Sequence, residues 1–103
     1  METITLTPEY ASDLLRGMVT KDGIGRPINP IDPQKVEQYA AAMKTGSWKR
    51  SFDPIWLTKD GYLVNGQHRC SAVIASGKTI VNEVRHLDLT LDEYYRRVDF
   101  YAE

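Results

Sequence analysis

The chain has a single cysteine, Cys70, in 103 residues. It therefore cannot close an internal disulfide, and a lone thiol fits a reducing, intracellular setting. Long apolar runs are missing, as is a basic leader followed by an apolar stretch, so neither a transmembrane helix nor a signal peptide is expected. No sign of charge dominates. Thirteen Lys and Arg stand against fourteen Asp and Glu, a net charge of −1. Nothing in that balance demands nucleic acid or a membrane, so any phosphate recognition must be local. Internal repeats and low-complexity segments are absent. The length leaves no room for a second core, so residues 1–103 are expected to form one domain. With 42% hydrophobic and 26% charged residues, the composition is that of an ordinary globular chain.

What is present reads as alternating short strands and capped helices. Glu2-Thr3-Ile4-Thr5-Leu6 alternates polar and apolar, as a half-buried strand does. Thr7 then Pro8 is N-cap grammar, and Ala11, Leu14, Leu15 and Met18 give a helix to about Met18 an apolar stripe. Lys21 to Pro27 is rich in turn formers, with two glycines near Arg26. Asp32-Pro33 opens a second helix whose buried side is Val36, Tyr39, Ala40 and Met43, closed by Gly46. Lys44 suits its last turn, Lys49 and Arg50 read as a solvated pair, and Trp48 suits either core or groove lining. Pro54 to Thr58 and Tyr62 to Val64 flank Asp60-Gly61, a hairpin turn. Thr79 to Val84 is a β-branched strand candidate. Thr90-Leu91-Asp92-Glu93 is a capping box for a last helix to about Tyr101, packed through Leu91, Tyr94, Tyr95 and Val98, with Phe100 and Tyr101 beyond. These elements predict an α+β fold, a small mixed sheet with about four helices.

The stretch Leu63-Val64-Asn65-Gly66-Gln67-His68-Arg69 stands apart. A strand meets Asn65-Gly66, a pair that tolerates positive φ, and a helix from Gln67 to Ser76 follows, ended by Gly77. Its first turn carries His68 and Arg69, although helix N-termini favour acidic residues. Local conflicts of this kind mark functional sites. An anion bound by the free N–H groups and clamped by His68 and Arg69 would resolve it, with His68 as hydrogen-bond donor.

Gly66-Gln67-His68-Arg69, between a strand ending in Asn65 and an alanine-rich helix, resembles the ParB/sulfiredoxin superfamily. Thr7-Pro8-Glu9, Arg26-Pro27, Met43-Lys44-Thr45-Gly46-Ser47-Trp48 and Pro54-Ile55 follow the order seen in ParB-like proteins of phages and actinobacteria. The resemblance implies a ParB/sulfiredoxin-like fold whose strand–helix junction binds nucleotide phosphates. It also implies ATP or CTP as ligand, magnesium as companion ion, and a cytoplasmic setting in a bacterial or phage-infected cell. Carried over, Gly66, His68 and Arg69 match phosphate-contacting positions, with Asn65 and Gln67 beside them. Thr45, with Gly46, matches a hydroxyl residue reaching phosphate from a helix end. Gln67 stands where sulfiredoxins have their cysteine, so that nucleophile does not transfer, and Cys70 does not replace it. Ala41 stands where these helices carry serine. Asn82-Glu83-Val84-Arg85 reverses the first two letters of a ParB Glu-Asn-x-x-Arg motif, and no set of metal ligands is nominated.

The expected function is nucleotide or phosphate binding, extending to nucleotide hydrolysis or phosphoryl transfer if a base and metal are supplied. Glu37, Asp53 and Asp60 are available carboxylates, none nominated by spacing, so no catalytic residue is assigned and enzyme status stays open. The alternative is a non-enzymatic module docking onto a host protein through aromatic surface. DNA binding or cleavage ranks third at this net charge. No membrane partner is expected, and oligomeric state is left open.

Overall fold

The computed structural model describes residues 2–18, 31–49, 53–94 and 96. The elements run β1 (Glu2–Leu6), α1 (Pro8–Arg16), α2 (Pro33–Thr45), β2 (Ile55–Leu57), β3 (Leu63–Asn65), α3 (Gln67–Ser76) and β4 (Ile80–His86). A further helical segment is described at 91–94. The turn-rich stretch 21–27, Arg50, Tyr95 and the last helix from 97 onward lie outside the described residues.

Local grammar sets the element starts. Thr7 Oγ1 accepts from the Tyr10 amide at 3.1 Å, and Asp32 Oδ1 accepts from the Gln34 amide at 3.0 Å. Each satisfies an amide that has no intrahelical partner. α1 stops at Arg16, two residues short of Met18. The Gly17 amide turns back onto the carbonyls of Asp13 and Leu14, and the chain leaves the helix there. Met18 is still buried, so its place in the apolar stripe holds.

The sheet has four strands in the order β1-β4-β2-β3. β4 is central, antiparallel to β1 and parallel to β2, while β2 and β3 form the antiparallel hairpin. The hairpin turn closes with the Thr58 amide on the Tyr62 carbonyl at 2.8 Å, and Gly61 adopts φ 94°. This is the small α+β fold with a mixed sheet that the sequence predicts. β4 extends to His86, beyond the expected Val84, because Arg85 and His86 pair with Trp56 and Leu57 of β2. That pairing is tertiary and leaves no mark on a polar dipeptide.

Leu6, Ile55, Leu63, Val84, Val73 and Cys70 meet in the core with Ala11 and Leu14 of α1 and Ala40 and Met43 of α2. α3 packs against both α1 and α2 and is the middle of the helical layer. No helix among the described residues is long and apolar enough to cross a membrane.

Candidate functional site

The junction of β3 and α3 is built on Gly66. Its φ is 118°, and a Cβ there would lie 3.0 Å from Ile55 Cγ1. Positive φ and close backbone approach together demand glycine. α3 begins with no side-chain cap and no acidic residue in its first turn. The amides of Gln67, His68 and Arg69 therefore have no intrahelical acceptor and sit at the positive end of the helix dipole.

The three side chains of this turn go separate ways. Gln67 is buried and folds back, with Oε1 accepting from the Gly66 amide at 3.1 Å. His68 crosses to α2, where its Nε2 accepts from the main-chain N–H of the helix cap Asp32 at 3.0 Å. An amide can only donate, so Nε2 carries a lone pair and the imidazole is neutral with its proton on Nδ1. Burial, then the charge of Lys35, holds its pKa below the usual histidine value, with Asp32 pulling the other way. Arg69 turns inward and is 8% exposed. It donates to the Asp53 carbonyl, to Asn82 Oδ1 at 3.2 Å and to the Pro54 carbonyl at 3.2 Å. Burial lowers its pKa and the nearby Asp53 raises it.

Above this turn lies a cleft of about 370 Å³. It is lined by Asn65, Gly66, His68 and Arg69 of the β3–α3 junction, by Lys35, Tyr39 and Trp48 of α2 and the chain just after it, and by Asp53, Pro54 and Trp56 at and before β2. Tyr39 and Trp48 meet edge to face, ring centroids 5.1 Å apart, and Lys35 Nζ lies 5.7 Å from the Tyr39 ring. The Trp48 indole N–H is buried and has no hydrogen-bond partner among the described residues. The cleft thus joins uncapped helix amides and two cationic side chains to an aromatic wall. Such a set suits an anionic group attached to a planar one.

Of the residues that the sequence nominates, Asn65, Gly66, His68 and Arg69 are brought together in the cleft. Gln67 is beneath it, used as a brace. Thr45 and Gly46 are not brought there. Thr45 Oγ1 donates to the Ala41 carbonyl at 3.0 Å and meets Ser47 Oγ at 2.9 Å, while Gly46 borders a separate concavity with Lys44 and Lys78. The expected paired clamp also changes. His68 is a neutral bridge, and Arg69 spends its donors on the wall of the cleft. Lys35 and Tyr39 enter the site without having been nominated, and their i, i+4 spacing beside an Asp-Pro cap is the signal that was available. Cys70 is fully buried, its thiol pushed up to about 12 by burial, which leaves it inert. Among the described residues no three His, Cys, Asp or Glu side chains gather as a metal site.

Comparison of the chain with protein-family models, with curated proteins and with solved structures finds no match in any of the three.

Proposed function

We propose that the cleft binds the phosphate group of a nucleotide, in keeping with the resemblance of Gly66-Gln67-His68-Arg69 to the ParB/sulfiredoxin superfamily. One observation carries the reading. The uncapped N-terminus of α3 opens into a cleft that also holds Lys35, Arg69 and the aromatic pair Tyr39 and Trp48. Phosphate oxygens satisfy orphan helix amides, and fixed cations strengthen the contact. The neutral His68, with its free proton on Nδ1, adds a donor and no charge. An aromatic wall takes a base by stacking. ATP and CTP are the candidate ligands, and magnesium would enter with the triphosphate, since Mg²⁺ is commonly held by few protein carboxylates plus phosphate oxygens. Among the described residues Asp53 is the carboxylate that lines the cleft. A cytoplasmic place in a bacterial or phage-infected cell belongs to the same proposal.

Thermal unfolding with a panel of nucleotides, with and without magnesium, tests it. A ligand that binds only the folded state adds about 2.7 kcal/mol at a hundredfold excess over its Kd. At least one nucleoside triphosphate is expected to raise the melting temperature. No shift with any member of the panel overturns the proposal.

A further inference from the structure

Asn82 occupies a position in β4 where the alternation calls for an apolar side chain. Its inward neighbours two residues away are Ile80 and Val84, both buried, and Asn82 is itself 0% exposed. A buried amide costs stability unless its donors and acceptor are used. Here they are. Oδ1 accepts from Arg69 at 3.2 Å, and Nδ2 donates to the Asp53 carbonyl at 3.3 Å and the Glu83 carbonyl at 2.9 Å.

Arg69 completes the arrangement from the other side. Each of its hydrogen bonds among the described residues ends on a neutral acceptor, namely two main-chain carbonyls and the Asn82 amide. The guanidinium is therefore oriented by neutral acceptors alone, while the nearby Asp53 carboxylate acts on it through charge without a hydrogen bond to it. Asp53 is bonded to both Arg69 and Asn82 through one carbonyl, so the wall of the cleft and its cation are fixed by the same contacts.

We propose that Asn82 is the positioning residue of this site, holding Arg69 and the 53–54 wall in place with a neutral side chain so that the guanidinium charge remains available to a phosphate. The inference rests on the anion-cleft reading above. A carboxylate at this position would hold the guanidinium more tightly and cancel its charge. An apolar side chain would leave both the Arg69 donor and the Asp53 carbonyl short of a partner. Only a neutral group with both a donor and an acceptor orients the cation and spares its field.

The test is calorimetric binding of inorganic pyrophosphate to the full chain, beside circular dichroism to confirm folding. Asn82→Asp, nearly isosteric, is expected to weaken binding by at least about tenfold, and the neutral Asn82→Thr by clearly less. A residue with a structural role alone would lower the melting temperature in both variants and leave the affinity of the folded molecules unchanged. That result overturns the inference. If Asn82→Asp fails to fold, the wild-type protein decides. The Arg69 guanidinium and Asn82 carboxamide NMR signals are expected to shift on addition of pyrophosphate, and unchanged signals at saturation overturn the proposal. Absence of pyrophosphate binding by the wild type overturns the cleft reading and this inference with it. Binding that ignores Asn82→Asp overturns the inference alone.

Discussion

His68 and Asp32, thirty-six positions apart, are joined by a hydrogen bond of 3.0 Å from the Asp32 main-chain N–H to His68 Nε2. This bond ties the first turn of α3 to the cap of α2, three residues before Lys35, which lines the cleft. It exists only while the imidazole is neutral, because a protonated Nε2 would point a second hydrogen at the Asp32 amide.

That contact gives the protein an acid-sensitive joint. The folded His68 pKa lies below its ordinary value of 6.5, burial being the main cause. The unfolded chain therefore takes up the proton first as pH falls. The stabilisation is complete above the unfolded pKa and is lost as pH drops through about 6.5 toward the folded value. His68→Gln keeps an acceptor for the Asp32 amide and cannot titrate in this range. Denaturant midpoints of wild type and His68→Gln between about pH 7.5 and 5 are expected to diverge, with the flatter profile in the variant. Parallel profiles would show that the joint does not control stability.

Gly66 cannot be replaced cheaply. Alanine there would place a Cβ 3.0 Å from Ile55 and hold a φ of 118°. Strain of both kinds predicts a loss of about 2 kcal/mol or more for Gly66→Ala by urea denaturation. Gly46→Ala is the control, since its φ is 77° but nothing lies within 4 Å. It is expected to cost about 1 kcal/mol, from the backbone alone.

Arg69→Ala is expected to lose both stability and ligand. The buried guanidinium holds two carbonyls and Asn82. Leaving the Pro54 carbonyl and Asn82 Oδ1 without this donor, with the Asp53 carbonyl held by Asn82 alone, is expected to cost about 2 kcal/mol or more. Equilibrium unfolding separates this from the binding defect.

Lys35 offers the cleaner probe of charge. It is exposed, on α2, and lines the cleft. Lys35→Ala is expected to weaken nucleotide or pyrophosphate binding roughly three- to tenfold while changing stability by less than about 0.5 kcal/mol. Unaltered affinity by calorimetry would remove Lys35 from the site.

Asp60 anchors the hairpin to the chain beyond β4. Its carboxylate accepts from Thr58 Oγ1 at 2.7 Å and from the Leu91 amide at 2.8 Å, and the Thr58 bond above all lowers its pKa. A lowered folded pKa adds stability above the ordinary value of 3.8 that is lost as pH falls through the folded one. Asp60→Asn is expected to flatten the acid limb of the stability profile below about pH 4.

Much of the frame was legible in order along the chain. Thr7-Pro8, Asp32-Pro33 and Thr90 to Glu93 are caps whose partners lie within a few residues, and Gly46, Gly61, Gly66 and Gly77 all take positive φ. The start of α3 at Gln67 and the strangeness of its first turn could be read for the same reason, since helix termini are short-range chemistry. Asn82 offered a weaker signal, a polar residue in an inward register between Ile80 and Val84. Its partner was not legible, because thirteen residues and a full helix separate it from Arg69.

The sequence by itself therefore determined the order of the elements, the starts of the capped helices, the fold class, and the turn that lines part of the cleft. Tertiary structure decided what the residues of that turn do. It placed β4 between β1 and β2, brought Lys35 and Tyr39 across from α2, made His68 a neutral bridge and sent Arg69 into a network with Asn82. The reason is physical. Caps and turns are satisfied by near neighbours, whereas a buried side chain takes its partner from whatever the packing of distant elements presents, and that partner sets its charge and its role.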